Sequence, residues 1–299
     1  MKRMESERIP VTFVVLTQDE ESNIEPCLRS FADWAGEIFV VDSGSTDRTL
    51  EIAARHTDKI VHHLFGNYSL QRNWAQEQLP LAYEWVFHID ADERVSPELA
   101  NTIKKRFENP AELTDVSGFL MPRRIVFLGK HIRYGGVYPT YHCRLYRKGS
   151  GRCEEREYDQ HFLVQGKTET IGGDLIEVTA TSLFLWTARH NRWAQMEARY
   201  HTKGKEFQKN QIVNPGLFRS PIERRRWFKE SLYEKSPLFI RSIFYFFQRY
   251  VLRGGFLDGT KGLIYHFLHG FWFRFYIDAC IYEIRETRNQ VHELSVKHD

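Results

Sequence analysis

The 299-residue sequence has few cysteines and no glycine-rich phosphate loop. Its four cysteines (Cys27, Cys143, Cys153 and Cys280) form no C-x-x-C pair, which disfavours a zinc ribbon and indicates reduced thiols in a cytosolic chain. G-x-G-x-x-G and G-x-x-x-x-G-K-[ST] are both missing, which argues against a dinucleotide oxidoreductase and a P-loop NTPase. A net charge of only +3, from 42 basic and 39 acidic residues, does not predict nucleic-acid binding.

Long uncharged apolar runs are missing as well. A membrane-spanning helix needs about 18 or more such residues. Arg241 and Arg249 interrupt the stretch 238–252, and the charge-free run 262–273 has 12 residues. We therefore expect no transmembrane helix, and the first ten residues contain no apolar core of a secretory signal. A protein that lies on a membrane surface stays compatible with this pattern.

Strand and helix patterns alternate along the first hundred residues. Helical spacing follows each of the apolar runs that predict strands, which are 10–17, 37–42, 58–65 and 84–90. This alternation predicts an α/β fold with a mostly parallel central sheet, and such sheets bind ligands at the carboxyl ends of their strands. Shorter strands and Gly-rich turns are expected from about 115 to 180, and a long helix from 183 to 207.

Acidic residues stand where the predicted strands end. Asp90 and Asp92 follow the fourth strand, and two carboxylates at this spacing can approach one Mg²⁺ or Mn²⁺ ion, whose shell substrate phosphates often complete. Asp42 ends the second strand, where its carboxylate suits a base imide or a ribose hydroxyl, with helix capping as the alternative. Arg72, at a predicted helix start, suits a diphosphate, with a solvent-exposed helix face as the alternative.

Four ordered motifs carry a family resemblance. VVLTQDEESNIEPCLRSF, VVDSGSTDRTLEIA, QRNWA and HIDADE resemble glycosyltransferase family 2 of the GT-A fold, over residues 10 to about 165. The resemblance implies transfer of a sugar, with inversion, from a nucleoside diphosphate sugar such as a UDP-sugar. Segments 186–201 and 254–268 are similar to a bacterial subgroup that builds lipopolysaccharide core and exopolysaccharide, resembling the lipopolysaccharide core β-1,4-glucosyltransferases. This similarity implies a lipid-linked glycan acceptor.

The resemblance also implies roles for single residues. Asp42 would hold the uracil, Arg72 would face the diphosphate, and Asp90 would serve both the donor and the metal. Mg²⁺ or Mn²⁺ would be held by Asp90 and Asp92, with Asp92 the more direct ligand. The residues that would line the nucleotide pocket are Thr17, Gln18 and Glu20.

The acceptor hydroxyl is a weak nucleophile and needs a general base. In the fold that the sequence resembles, the base is a carboxylate well after the metal motif. The segment EEREYDQHF offers Glu154, Glu155, Glu157 and Asp159. We assign the role to Asp159, with Glu157 as the second candidate. A surface acidic cluster without a catalytic role is the alternative.

Aromatic residues concentrate near the carboxyl end, where 236–285 holds 15 of the 43. A helix over 238–253 places its polar residues in one arc (Arg241, Ser242, Gln248, Arg249 and Arg253) and aromatic and aliphatic ones opposite (Phe239, Ile243, Phe246, Phe247, Tyr250 and Val251). A second helix is expected within 262–285. Basic residues also cluster between 219 and 229. These patterns predict association with an anionic membrane surface; a packed subdomain and a homo-oligomer interface are the alternatives.

The sequence therefore predicts a GT-A catalytic domain over 1–212 and an amphipathic, membrane-associating helical region over 213–299. The protein is expected to be monotopic on the cytoplasmic face of the bacterial inner membrane, with no nucleic-acid partner. A nucleotidyltransferase and a non-catalytic sugar-nucleotide-binding or scaffold protein are the alternative functions. A nucleotidyltransferase would favour a basic, Gly-rich loop after the first strand, where this chain has TQDEES.

Overall fold

The computed structural model describes residues 8–155, 160–180, 182–202, 216 and 221–296. The described chain divides into two compact units. The first unit contains 8–125, 139–155 and 160–178, and the second contains 126–138 and the described residues from 179 onward. The domain limits expected from the sequence, 1–212 and 213–299, stay a prediction.

The strands and helices are numbered in chain order. The strands are β1 (Ile9–Thr17), β2 (Ala35–Asp42), β3 (Ile60–His62), β4 (Trp85–Asp90), β5 (Glu93–Val95), β6 (Val116–Phe127), β7 (Lys130–His131), β8 (Thr140–Arg147), β9 (Gly151–Cys153), β10 (Phe162–Val164), β11 (Lys167–Thr170) and β12 (Leu175–Ala180). The helices are α1 (Ile24–Arg29), α2 (Thr49–Ala53), α3 (Tyr68–Gln78), α4 (Pro97–Glu108), α5 (Leu183–Thr202), α6 (Pro221–Phe228), α7 (Ile240–Phe247), α8 (Gly259–Tyr265) and α9 (Phe273–Val296). π-helical turns extend α6 over Lys229–Tyr233, extend α7 over Gln248–Leu252, and join α8 to α9 over His266–Trp272.

The main sheet is mixed, with strand order β3-β2-β1-β4-β8-β6-β12-β5. The strands β1 to β4 pair in parallel, which confirms the α/β pattern predicted for the first hundred residues. The other half is mostly antiparallel, since β8 runs against both β4 and β6 and β12 runs against β5, whereas β11 pairs with β6 in parallel. These antiparallel strands come mostly from the segment where the sequence predicts shorter strands. A separate antiparallel hairpin joins β9 to β10.

Both faces of the parallel half are covered, as the continuous apolar runs of its strands require. On one face Phe13 stacks on Phe31 of the turn after α1, with ring centres 4.3 Å apart, and its edge meets Trp34. On the other face Val14 and Leu16 pack with residues of β2 and α3. The register places Thr17 opposite Asp42 and Leu16 opposite Asp90, so the ends of three strands lie side by side.

Two helices begin with a side-chain cap. Asn67 caps α3 by accepting a hydrogen bond from the Leu70 backbone N–H at 2.8 Å. Ser96 caps α4 by accepting from the Leu99 backbone N–H, and Pro97 occupies the first turn. The expected long helix is observed as α5 and ends at Thr202, after which 203–215 lies outside the described residues.

The second unit is helical. α5 packs against α9 through small and apolar residues, among them Ala194, Ala198 and Phe273. The buried carboxylate of Asp258 accepts hydrogen bonds from the backbone N–H groups of Arg133 and Tyr134, at 3.0 and 2.9 Å. These bonds hold the loop that precedes β8 against the start of α8 within this unit.

The amphipathic helix α7 is observed with its polar side facing inward. Arg241 and Arg249 are buried, whereas Ile243, Phe244 and Phe247 are exposed. Arg241 donates from Nε to the buried carboxylate of Asp278 at 2.8 Å. The helix and its two faces were predicted correctly. Arg241 and Arg249 lie inside because an ion pair with Asp278 holds the first, and a carbonyl, a phenol and an imidazole hold the second.

Apolar rings continue from α7 onto the neighbouring helix. Phe246 lies within 6.3 Å of both Phe267 and Phe271, measured between ring centres, and Phe271 contacts Phe275. We call the exposed apolar side chains of these helices the aromatic face. Its members are Phe244, Phe247, Val251, Leu252, Leu263, Phe267 and Phe275. Within the described residues, no helix combines the length and the apolar character that a membrane crossing requires.

Candidate active site

The loops after β1 and β2 are held together by reciprocal hydrogen bonds. The Asp19 carboxylate accepts from the Thr46 backbone N–H at 2.7 Å, and the Asp19 N–H donates to Ser45 Oγ at 2.9 Å. The Glu20 N–H donates to Thr49 Oγ1 at 2.8 Å. Asp19 has a positive φ of 52°, a conformation that Asp tolerates better than most residues. The acidic loop that the sequence predicts is therefore a braced turn.

The predicted pocket residues differ in exposure. Gln18 is exposed and Glu20 is half-buried, where Glu20 accepts from Asn23 Nδ2 at 2.7 Å. Thr17 is buried at the end of β1, and its hydroxyl has no hydrogen-bond partner among the described residues. Gln18 and Glu20 thus lie at the surface of the braced turn, and Thr17 lies beneath it.

Asp42 is fully buried and organises the turn that follows it. Its carboxylate accepts from the backbone N–H groups of Gly44 and Ser45, at 2.9 and 3.1 Å, and from the Ser45 hydroxyl. His62 Nδ1 lies 3.1 Å from the same carboxylate. Gly44 has a φ of 98°, which a residue with a side chain rarely adopts. Asp42 thus shapes this turn but does not cap α2, whose N-cap residue is Arg48, and contact of Asp42 with a base stays a prediction.

Asp90 lies at the centre of a four-residue ionic network. Arg72 Nη2 donates to both Asp90 oxygens, at 2.8 and 2.7 Å. Arg144 Nη2 donates to Asp90 Oδ2 and to Glu93 Oε1, both at 2.8 Å. Glu93 also accepts from the Asp90 backbone N–H at 2.9 Å. Two guanidinium groups therefore balance two carboxylates at the end of β4.

Burial and charge act in opposite directions on these carboxyl groups. Burial alone would raise the pKa of Asp90, but the guanidinium groups of Arg72 and Arg144 hold it well below its usual range. Burial raises the pKa of Glu93, against the opposing attraction of Arg144. Asp90 is the permanently ionised member of the network at neutral pH.

Three consecutive residues of α3 each fasten a different segment of the site. Gln71 Nε2 donates to Ser43 Oγ at 3.1 Å, in the turn after β2. Arg72 holds Asp90, and Asn73 binds both backbone groups of Cys153 in β9, at 2.9 and 3.0 Å. The motif QRN thus connects two loops and a hairpin. The predicted diphosphate contact of Arg72 stays a prediction, since the observed partner is Asp90.

The predicted general base belongs to the segment between β9 and β10. Residues 156–159, including Asp159 and Glu157, lie outside the described residues. Glu154 is fully buried and accepts from the His161 backbone N–H at 2.9 Å, with His161 Nδ1 at 3.2 Å. Glu155 is exposed and pairs with Arg152. Glu154 and His161 therefore contact each other where the paired strands β9 and β10 end.

The metal-binding prediction involves Asp90 and Asp92. Among the described residues, no group of three or more His, Cys, Asp or Glu side chains could hold a metal ion. Asp92 is half-buried, and its backbone carbonyl accepts from Val178 at 2.9 Å. Mg²⁺ commonly takes one or two carboxylates and completes its shell with phosphate oxygens and water. In the structure Asp90 is engaged by Arg72 and Arg144, and metal binding by Asp90 and Asp92 stays a prediction.

Sequence reasoning missed several residues of the network. Arg144 and Glu93 are buried beside Asp90, and Gln71 and Asn73 flank the one residue of QRN that was singled out. A usable signal existed for Gln71, Asn73 and Glu93, because they belong to the recognised motifs QRNWA and HIDADE, but not for Arg144, which lies in neither. His88, fully buried between Tyr146 and Phe162, has its pKa lowered to about 3, chiefly by burial, and is neutral.

Comparison with known proteins finds similarity to one family of enzymes. Residues 12–158 match the model described as glycosyl transferase family 2. The lipopolysaccharide core biosynthesis glycosyltransferase LpsC of Rhizobium meliloti (strain 1021) is 24% identical over 281 residues, which are 87% of this chain and 90% of that protein. An uncharacterized glycosyltransferase of Rickettsia bellii (strain RML369-C) is 34% identical over 97 residues, which are 32% of each protein. The similarity to LpsC thus spans both units, and the similarity to the Rickettsia protein spans about a third of each chain.

Among solved structures, S. aureus TarS 1-349 has a TM-score of 0.46 and 14% identity, with 93% of this chain and 92% of that chain covered. Glucosyl-3-phosphoglycerate synthase from Mycobacterium tuberculosis has a TM-score of 0.31 and 17% identity, with 40% of this chain and 44% of that chain covered.

Proposed function

Because residues 12–158 of this chain belong to glycosyl transferase family 2, we propose that it transfers a sugar from a nucleoside diphosphate sugar, such as a UDP-sugar, to a lipid-linked glycan. The transfer inverts the anomeric centre and uses a divalent cation. The acceptor belongs to bacterial lipopolysaccharide or exopolysaccharide synthesis. LpsC supports this acceptor class, since it is named for lipopolysaccharide core biosynthesis and the similarity covers nearly all of both chains.

One observation supports the donor assignment above all others. The ends of β1, β2 and β4 meet at one edge of the sheet, and Thr17 lies opposite Asp42 in the register while Leu16 lies opposite Asp90. The braced turn after β1 and the ionic network of Asp90 flank this edge. Ligands of open α/β sheets bind at such carboxyl ends.

On the donor side, we infer that Asp92 holds the cation together with the diphosphate. A bound Mg²⁺ or Mn²⁺ ion would neutralise the charge that develops on the leaving nucleoside diphosphate. Arg72 and Arg144 orient Asp90 and add fixed positive charge beneath the same leaving group. Gln18 and Glu20 line the pocket for the nucleoside, above Thr17 and the turn that Asp42 shapes.

On the acceptor side, Asp159 removes the proton of the attacking hydroxyl, with Glu157 as the second candidate. Support comes from the hairpin in which both residues stand in sequence. Asn73 fixes one strand of this hairpin to α3, and Glu154 contacts His161 at its base. The described strand β9 that precedes these candidates is therefore tied to the helix that also carries Arg72.

For location, we infer a peripheral position on the cytoplasmic face of the bacterial inner membrane. The aromatic face supports this inference, because Phe244 and Phe247 are 67% and 49% exposed while the arginines of the same helix point inward. A soluble monomer rarely exposes a contiguous apolar patch of this kind. Exposed Arg253 and Lys261 stand close in sequence to Leu252 and Leu263 of the aromatic face, and basic residues of this kind suit contact with anionic headgroups.

A panel of radiolabelled sugar nucleotides, incubated with the protein and bacterial membrane extract, tests the function. We expect transfer of label into a lipid-extractable product, dependent on Mg²⁺ or Mn²⁺ and abolished by chelation. A nucleotidyltransferase would instead release pyrophosphate from a nucleoside triphosphate and a sugar phosphate. A binding module would retain the sugar nucleotide without hydrolysis or transfer, and either of these results would overturn the proposal.

A further inference from the structure

A cluster of basic residues lies in the second unit, around Tyr245 of α7. The guanidinium carbons of Arg249 and Arg274 lie 5.3 and 5.5 Å from the centre of the Tyr245 ring. Arg249 Nη1 donates to the Tyr245 hydroxyl at 3.1 Å and lies 3.4 Å from His269 Nδ1. Arg225, exposed on α6, acts electrostatically on both rings. Two guanidinium groups thus contact one phenol and a third acts on its charge, and we call these five residues the Tyr245 cluster.

Arg249 differs from the other buried arginine of α7 in the charge of its partners. Arg241 is paired with the buried carboxylate of Asp278. The hydrogen-bond partners of Arg249 among the described residues are a backbone carbonyl, a phenol and an imidazole, none of which carries a permanent negative charge. Because Arg249 is only 5% exposed, its charge is largely removed from water. A buried cation of this kind favours a bound anion.

The ionisation of the two rings reflects the guanidinium groups beside them. Burial alone would raise the pKa of Tyr245, but Arg249, Arg274 and Arg225 lower it to about 7. Burial and then the same arginines hold the pKa of His269 well below its usual range, so its ring is neutral at pH 7. The cluster therefore stabilises negative charge on its own tyrosine.

Part of the Tyr245 cluster is exposed to solvent. Tyr245, His269 and Arg274 are half-buried, and Arg225 is exposed. We propose that the Tyr245 cluster binds the phosphate group of a phosphorylated ligand, a phosphate monoester or a diphosphate, through Arg249, Arg225 and Arg274. Guanidinium groups match phosphate oxygens in charge and in bidentate geometry. This proposal concerns only the second unit and does not rest on the donor chemistry proposed for the first.

The phenol of Tyr245 provides a direct readout for binding. The full-length protein and its Tyr245→Phe variant are titrated between about pH 5 and pH 9, and the difference in phenolate absorbance isolates Tyr245. A bound anion disfavours the phenolate, so inorganic pyrophosphate should raise this pKa by about one unit. Sodium chloride at matched ionic strength is the reference for general screening. An equal shift with chloride, or no shift with pyrophosphate, would overturn the proposal.

Substitutions at the accessible arginines provide a second test. Arg225→Gln and Arg274→Gln should each weaken pyrophosphate binding, measured by calorimetry, by about 10-fold, because each removes a charge-assisted hydrogen bond. Arg224→Gln, next to Arg225 and also exposed, is the matched control and should bind as the wild type does. Arg225 is exposed, so its variant tests binding even if the Arg274 variant does not fold. Equal weakening in all three variants would indicate nonspecific attraction and contradict the proposal.

Two sources of phosphate can be distinguished with the same readout. Soluble pyrophosphate represents a phosphorylated glycan, and vesicles of phosphatidylcholine with phosphatidic acid represent a lipid headgroup. A Tyr245 shift with the soluble anion supports the first source, and a shift only with phosphatidic acid vesicles, and not with pure phosphatidylcholine, supports the second. If the protein transfers sugar normally but none of these anions shifts the pKa of Tyr245, the proposal for the Tyr245 cluster is wrong and the proposed function stands.

Discussion

Arg144 joins Asp90 and Glu93 through a single nitrogen, since its Nη2 lies 2.8 Å from an oxygen of each carboxylate. Arg144 belongs to β8, which runs antiparallel to β4. The contact therefore ties the antiparallel half of the sheet to the acidic motif at the end of the parallel half. It also leaves both carboxylates with a cation that comes from a strand distant in sequence.

Arg144→Met should be strongly destabilising, by about 3–5 kcal/mol, because it leaves two buried carboxylates with one guanidinium fewer. Urea unfolding measures this loss. Arg152→Met is the matched control, since Arg152 is half-exposed and pairs with exposed Glu77 and Glu155, and such pairs contribute about 1 kcal/mol or less. Similar unfolding free energies for the two variants would contradict the role given to the network.

Acidification should lower the free energy of unfolding through protonation of Asp90. Its pKa is depressed in the folded state, so its ion pairs stabilise the fold fully above the ordinary carboxyl pKa and progressively less as the pH falls below it. Between about pH 5 and pH 3, the wild type should lose up to about 1.4 kcal/mol per pH unit more than Asp90→Asn, which has no such proton to take up. If the unfolding free energies of the two proteins change equally with pH, the pKa of Asp90 is not depressed in the folded protein.

Asp92→Asn should lower sugar transfer by at least about 100-fold, because an amide does not replace the carboxylate charge on the cation. Asp90→Asn should also be damaging, but mainly through the arginine network and stability. Initial rates measured over a range of Mn²⁺ concentrations distinguish the two variants, since only Asp92→Asn should need a higher Mn²⁺ concentration than the wild type. Normal turnover of Asp92→Asn in the presence of a chelator would refute the metal assignment.

Asp159→Asn should lower kcat by about 10²–10⁴-fold and leave donor binding largely intact, as expected for a general base. Calorimetry with the nucleoside diphosphate measures binding separately from turnover. Glu155→Gln is the control, because Glu155 is exposed and paired with Arg152. If Glu157→Gln shows the loss instead, the role moves to that residue, and if neither variant does, the acceptor site lies elsewhere.

Replacing Phe244 and Phe247 together by Ser should weaken binding to both neutral and anionic vesicles by at least about 10-fold, because apolar burial drives it. Arg224→Glu should weaken binding to anionic vesicles only, since salt screens that attraction. Leu64→Ser with Phe65→Ser removes exposed apolar side chains of the first unit and should have no effect. Sedimentation with liposomes measures all three. A wild type that ignores liposomes would exclude the membrane proposal and favour a packed or oligomeric aromatic face.

The parallel strands and the acidic motif were predictable from the sequence, because both depend on local patterns. The partner of Asp90 on β8 was not, since Arg144 lies 54 residues further along the chain and only the pairing of β4 with β8 brings them together. Local spacing carries no information on which distant strand will be the neighbour. The same limit applies to Glu154 and His161, which meet only because their hairpin closes.

The case of α7 shows a different limit. Periodicity divides a helix into two faces, and it did so correctly here. It does not say which face points inward when the rest of the unit supplies a buried carboxylate. Asp278 receives Arg241, and the polar arc is therefore internal. The inward position of Arg241 therefore follows only from the structure, which places Asp278 of α9 beside it.

The three attachments made by Gln71, Arg72 and Asn73 bear on how the chain tolerates changes in length. Successive residues of an α-helix are rotated by about 100°, so these three side chains reach three different segments from a single turn. One residue inserted or deleted between the Asn67 cap and Gln71 would rotate all of them at once. The turn after β2, the acidic motif and the hairpin would lose their common support together. Length changes in the loop before Asn67 leave that alignment intact, so natural insertions are expected there and not within the first turns of α3.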